Sequence, residues 1–458
     1  MKTGITIVGL LLGIAWTPLV VRAQDAPEEP SPAAVRELMR IMRIDDPEQR
    51  SDEVRDIAKT SKASIAGWDA AIAKLPRPWF PEERTGTFES EVPLWGGHVA
   101  EVLQTKIVVH RPANLRAGSL VPLVVSSHGS GGVAESAVLA WQRIAERDGL
   151  IVIGATEQLK NEGHMGSDHE RLTAVSLRRW ALLHLPVDPD RVFKTGVSRG
   201  GHLTWDVTTR FPDLWAGAAP FVGGPRLDPT GGINNLRLVE NLVPMSIRDL
   251  QGEGDDPGLI FNLKLAFQAL DKLGAKDAKL ELQKGHGHSY DPRAVEWDQF
   301  FKMKRDPVPE RIVFRSVDLG QARCHWLQIT KFDPAIVKDA YRPQAKASVW
   351  NRLDNNGKKR WVAEDADKHT ARVAVRIERN PGDKTNEITI VVEEARGVRS
   401  MEALLPRALW PTQDRPKLFV KRGNSRRAVT VREDLELWLR DLVDRADSRT
   451  AAVVRCPL

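Results

Sequence analysis

From about residue 85 to 305, short apolar runs alternate with longer stretches whose apolar residues recur every three or four positions. The runs at 105–109, 123–126, 150–154, 192–195, 218–222, 244–247 and 279–282 are predicted strands. Residues 134–146, 171–183, 201–210 and 259–273 are predicted helices lying between them. Alternation of this kind builds an α/β unit with a mostly parallel sheet covered by helices. In such a sheet, ligands bind at the carboxyl ends of the strands.

The pattern changes on either side of this unit. After the turn-forming Arg305-Asp-Pro-Val-Pro309, polar and apolar positions alternate at 371–379, 387–394, 417–422 and 428–432, which predicts strands. Gly423-Asn424 suits a turn between the last two, and 434–444 reads as a short amphipathic helix. Residues 306–458 are therefore expected to form a mainly β accessory domain, following an α/β domain at 85–305. Upstream, 24–32 is rich in Pro, Glu and Ala and reads as a solvated linker. Val35, Leu38, Met39 and Met42 then fall at helical spacing behind Ser31-Pro32, which suit a cap and first turn, and a second helical stretch covers 52–74. The span 24–84 is thus a linker and helical extension.

Lys2, the apolar run from Ile5 to Trp16, and Val21-Arg-Ala23 give the three regions of a secretory signal peptide over 1–23. No later segment is long and apolar enough to span a bilayer, so the mature chain is expected outside the cytoplasm, in the periplasm or beyond it. Removing Lys2 and Arg22 from the 67 basic residues leaves 65 against 61 acidic ones. That surplus is spread along the chain and gives no support to nucleic acid as a partner. Cys324 and Cys456 are the two cysteines; they exclude a disulfide scaffold and leave one bridge open, from the chain end to the start of the last domain.

Gly196-Val-Ser198-Arg-Gly200 carries the chemistry. G-x-S-x-G between an apolar strand and a helix lifts a serine onto a sharp turn for nucleophilic attack. Acyl transfer through serine also needs a base, an acid that orients the base, and backbone donors for the oxyanion. Candidates follow in the order Ser, Asp, His. Gly252-Glu-Gly-Asp255-Asp256-Pro257 offers Asp255 as the acid, with Asp256 as the alternative or as a helix cap. Gly285-His286-Gly-His288-Ser-Tyr-Asp291 offers His288 as the base; His286 is the alternative, and a metal pair lacks a third ligand. His128-Gly-Ser130-Gly-Gly132 ends a strand in a small-residue loop, so the oxyanion donors are the N–H of Ser130, or else Gly129, and the N–H of Arg199. This chemistry needs no metal and no organic cofactor. His164 and His169 stand in another polar loop on the same side, Trp205 and Trp215 read as packed, and Trp141 is a weak candidate for the cleft.

Together these motifs resemble the secreted bacterial α/β-hydrolase esterases related to polyhydroxybutyrate depolymerases, feruloyl and acetyl-xylan esterases, and dienelactone hydrolases. The resemblance covers about residues 90–300 and implies a triad of Ser198, His288 and Asp255. It departs at Ser130, where depolymerases commonly carry cysteine, and at Arg199 beside the nucleophile. The expected activity is serine-dependent cleavage of carboxylic esters, with polyester or polysaccharide-linked acyl groups among the candidate substrates. A serine peptidase of the prolyl-oligopeptidase kind shares the triad order, but there the β domain is longer and comes first. A glycan- or surface-binding protein on the same scaffold would lack a reactive serine.

Overall fold

A computed structural model describes residues 28–94, 104–156, 167–337, 342, 345–379, 386–410 and 416–458. The expected leader and His164 lie outside the described residues. Three helices open the chain, α1 (Pro32–Ile41), α2 (Pro47–Thr60) and α3 (Ile65–Ala73). Ser31 Oγ caps α1 through Ala34 N. The single stretch expected at 52–74 is broken because Ser61 ends α2, while Ser64 Oγ accepts from Gly67 N and starts α3.

The central sheet has eight strands: β1 (Gly86–Pro93), β2 (Gln104–Arg111), β3 (Val121–Ser127), β4 (Ile151–Ala155), β5 (Val187–Val197), β6 (Gly217–Phe221), β7 (Ser246–Gly252) and β8 (Ala278–Gln283). Their order across the sheet is β1-β2-β4-β3-β5-β6-β7-β8. β2 runs antiparallel to both neighbours, and every pair from β4 to β8 is parallel. Helices α4 (Ala134–Asp148), α5 (Asp168–His184), α6 (Arg199–Arg210) and α7 (Pro257–Lys272) make the crossovers. All residues of β3, β4 and β6 are buried, which is what helices on both faces of a parallel sheet require. On one face Val138 and Trp141 of α4 pack with Val124, Val152, Phe221, Trp297 and Phe301; on the other, α5 and α6 cover the sheet with Leu177, Leu203 and Trp205. Trp141, Trp205 and Trp215 are all core residues, so Trp141 is not a cleft aromatic. It lies in an aromatic cluster, with ring centroids 4.9 Å from Trp297 and 5.7 Å from Phe221.

The C-terminal part forms two further sheets. Five strands run in the order Arg311–Ser316, Ala371–Arg379, Glu387–Arg396, Lys417–Arg422, Ser425–Val429. Four run in the order Arg323–Cys324, Leu327–Phe332, Val398–Pro406, Ala452–Pro457. Helices Asn355–His369 and Leu435–Arg445 accompany them. The Gly423-Asn424 turn closes the Arg422/Ser425 pair, so the last hairpin strand starts three residues earlier than its apolar pattern indicates.

This part shares one apolar core with α1–α3 and the α5/α6 face, which joins Trp68, Trp205, Phe314, Trp326 and Trp438 in a single cluster. Buried polar groups stitch the join. Arg305 Nη2 donates to Asp447 Oδ2 at 2.7 Å and its Nη1 to Asp213 O at 2.8 Å. Asn241 Nδ2 donates to Thr209 O and Arg315 O at 2.7 and 2.8 Å. Cys324 and Cys456 are buried free thiols. They sit in one row across the four-stranded sheet, separated by Leu327 and Ala403, and three strand spacings amount to ~14 Å, beyond the reach of a disulfide.

Candidate active site

Ser198 follows the last residue of β5 and precedes the first of α6, with φ 55° and ψ −112°. A non-glycine residue in this region is strained, and the strain is held by close backbone packing. A Cβ on Gly196 would lie 2.3 Å from Gly200 O, and one on Gly200 would lie 2.4 Å from Ser127 O. Both motif glycines are therefore required by contact with neighbouring backbone. Ser198 N donates to Phe221 O at 2.8 Å, which ties the turn to β6.

Two loops at the carboxyl ends of β7 and β8 bring the other groups in. A Cβ on Gly252 would meet Gly287 O at 1.9 Å, so the absence of a side chain lets the histidine loop settle on the acid loop. Gly254 N donates to His286 O at 2.9 Å across the same junction. The result places His288 Nε2 2.8 Å from Ser198 Oγ and His288 Nδ1 2.8 Å from Asp255 Oδ2. Of the two candidate histidines, His286 turns away, its Nδ1 3.3 Å from Ser289 Oγ. Of the two carboxylates, Asp256 is occupied as the cap of α7, accepting from Leu259 N at 2.8 Å.

Asp255 is well supported as a carboxylate. Its Oδ1 accepts from Asp256 N at 2.7 Å, and its Oδ2 accepts from Gln251 Nε2 at 2.5 Å as well as from His288. Burial opposes its charge, yet the Asp256 N–H, His288 and Gln251 outweigh it and hold its pKa below the ordinary value. Tyr290 stacks on Phe221 at 4.5 Å and anchors the histidine loop; burial pushes its phenol up to about 12.

At the loop after β3, a Cβ on Gly129 would lie 3.7 Å from Ser198 Cβ, so this loop passes against Ser198. Ser130 is exposed in the turn that follows, which Gly132 N closes on Gly129 O at 3.0 Å. Arg199 supplies the first N–H of α6, a position for which the helix itself has no acceptor. Its side chain runs inward to a buried ion pair with Glu170, each side chain 1% exposed. Below the loop, the buried Lys194 Nζ donates to Ser127 Oγ at 2.8 Å. His169 is not in a loop: Ser167 and Glu170 form a capping box and α5 starts at Asp168.

Lys194, Glu170 and Gln251 are site-supporting residues with no motif of their own. Only the Ser-x-x-Glu capping signature at Ser167–Glu170 was open to sequence reasoning. Among the described residues no group of three His, Cys, Asp or Glu side chains is placed to hold a metal ion, and no helix is long and apolar enough to cross a membrane.

The strand order, the strained serine between β5 and α6, and the loops after β7 and β8 define an α/β-hydrolase fold. No protein-family model matches the chain. It is similar to the poly(3-hydroxyalkanoate) depolymerase C of Paucimonas lemoignei, 27% identical over 128 residues that cover 25% of this chain and 30% of the relative. The chain thus spans under a third of that relative's length. This match bears out the resemblance drawn from the motifs. Solved structures with similarity include an S-formylglutathione hydrolase from Agrobacterium tumefaciens, 15% identical, covering 48% of this chain and 95% of that one at a TM-score of 0.38. A thermostable esterase is 19% identical, covering 47% and 63% at 0.37, and an acylaminoacyl peptidase of Pyrococcus horikoshii is 13% identical, covering 48% and 41% at 0.37.

Proposed function

We propose that the protein is a serine carboxylic-ester hydrolase working through an acyl-enzyme on Ser198. The observation that carries this is the unbroken chain from Ser198 Oγ to His288 to Asp255, with both links at 2.8 Å. His288 Nε2 takes the Ser198 proton as Oγ attacks the ester carbonyl, and the Nδ1–H stays on Asp255, which orients the ring and stabilises the imidazolium. The N–H groups of Arg199 and Ser130 hold the developing oxyanion. Collapse expels the alcohol, which takes the proton from His288. Water activated by the same histidine then attacks the acyl group, and Ser198 recovers its proton as the acid leaves.

The substrate is proposed to be an acyl group on a polymer, either a polyester such as the depolymerase relative's name indicates or an acylated polysaccharide. The side chain of His288 is 54% exposed, so the reacting atoms face outward, where a polymer-borne ester can reach them. Export from the cytoplasm fits such substrates. The test is a panel of p-nitrophenyl esters, polyhydroxybutyrate, acetylated xylan, feruloyl esters and peptide p-nitroanilides. Ester turnover without anilide turnover is expected; the reverse preference would assign the site to a peptidase instead.

A further inference from the structure

Gln251 and Asp249 stand two residues apart in β7 with their side chains on the same face, and both are fully buried. Each leaves one acceptor without a hydrogen bond, Oε1 of Gln251 and Oδ1 of Asp249. Two buried acceptors with no donor on one strand face are costly, each worth about 1–3 kcal/mol if left unmet. The amide of Gln251 is fixed by its use: Nε2 donates to Asp255 Oδ2 at 2.5 Å, so Oε1 is turned away from the acid loop. The other oxygen of Asp249 accepts from Trp205 Nε1 at 2.8 Å. Residues two apart on a strand are ~6.8 Å apart at Cα, within the joint reach of an aspartyl and a glutaminyl side chain.

We propose that Asp249 keeps a proton on Oδ1 and donates it to Gln251 Oε1, which makes Gln251 the residue that positions Asp255 toward His288. One proton then satisfies both orphan acceptors. It also fixes which end of the Gln251 amide faces Asp255, since the carboxylate needs the N–H end. Burial acts in the same direction, raising the Asp249 carboxyl well above its ordinary value against the opposing hydrogen bond from Trp205. Around Asp255 the facing groups are Gln251, His288 and the Asp256 N–H. The outcome is a line of polar groups from the core to the nucleophile: Trp205, Asp249, Gln251, Asp255, His288, Ser198. It rests on the proposed role of Ser198 and His288 in turnover, but the protonation of Asp249 does not.

Two measurements separate these. Infrared difference spectra of wild type against Asp249→Asn at pH 7 should contain a protonated-carboxyl C=O band assigned to Asp249; its absence overturns the proposal whatever the activity. For the positioning role, kcat/KM is followed against pH in Gln251→Leu, Asp249→Ala and Asp249→Asn. Without the Gln251 donor, Asp255 binds the protonated imidazole more tightly, so the acidic limb should move up by roughly half a unit to one unit. KM should change little and kcat at pH 7 should fall roughly tenfold. Asp249→Ala should move the limb in the same direction. Asp249→Asn, which supplies a neutral donor of the same shape, should leave it in place. If Asp249→Asn moves the limb to lower pH, a negative charge has been removed and Asp249 was ionised. An unmoved limb in Gln251→Leu, with Ser198→Ala inactive, would leave the triad standing and overturn the positioning role.

Discussion

Replacing Asp255 by Asn removes the charge that faces the histidine while leaving the shape of the loop. Imidazolium and carboxylate centres about 4 Å apart attract by ~4 kcal/mol at an effective dielectric of 20, and the half-exposed ring reduces this to roughly 2–3 kcal/mol. At 1.36 kcal/mol per factor of ten, that alone slows the reaction roughly 30- to 150-fold. The amide also presents an N–H toward Nδ1, which places the ring proton on Nε2, where it no longer accepts from Ser198. Together the two effects should lower kcat roughly 10³-fold, with KM near its original value. Asp256→Asn is the control, because Asn caps a helix as well as Asp and the Leu259 N–H keeps its acceptor. Its turnover should stay within about twofold of wild type. Steady-state kinetics on p-nitrophenyl acetate read both variants, with thermal unfolding alongside to establish that each is folded. Asp255→Asn retaining a tenth of the activity, or Asp256→Asn losing as much as Asp255→Asn, would refute this assignment of the acid.

Three further outcomes are expected. Arg305→Met should destabilise the protein by about 2–3 kcal/mol, because it leaves the buried Asp447 carboxylate with Arg449 as its arginine partner and takes the donor from the Asp213 carbonyl where the C-terminal part meets the central sheet; a change under about 1 kcal/mol in urea unfolding would show that this contact is dispensable. Acid should weaken the same join. Asp447 is held at about 2 against an ordinary 3.8, principally by Arg449 and Arg305 overcoming its burial, so the unfolded chain binds its proton first. That contribution, roughly 2 kcal/mol, is present above about pH 4 and lost as pH falls toward 2, so Asp447→Asn should flatten the acid limb of the stability profile. Thiol titration of the native protein should find neither cysteine, and titration in denaturant without reductant should find both; a missing pair in denaturant would mean that they are bridged.

The central sheet was legible wherever burial was complete. β3, β4 and β6 are buried throughout and stand within two residues of where the pattern places them. β7 was displaced because its middle is polar: Arg248, Asp249 and Gln251 interrupt the apolar run, and two of these are polar because they bond Trp205 and Asp255. β1 escaped because it is an edge strand whose first six residues alternate between partial and full exposure. Helix Asn355–His369 escaped because it buries only Gly357 and Asp365, the latter through Arg237 at 2.6 Å. At the site, motif and spacing carried the reading as far as pairs of candidates, Asp255 or Asp256 and His286 or His288. What separates each pair is the direction of a side chain in three dimensions, which a loop sequence does not encode. Behind the site, Gln251 bonds Asp255 within its own loop region and Lys194 reaches Ser127 on a neighbouring strand, and neither contact leaves a pattern in the sequence; Glu170 leaves the capping signature with Ser167, which does not reveal its pairing with Arg199.

The most direct measurement is fluorophosphonate labelling of the mature wild-type protein beside Ser198→Ala, with the modified peptide located by mass spectrometry and p-nitrophenyl acetate turnover recorded on the same samples. Labelling at Ser198 and hydrolysis, both lost in the folded variant, are the predicted result. A wild-type protein that neither labels nor turns over ester, or one labelled at another serine, would contradict the assignment of Ser198 as the nucleophile.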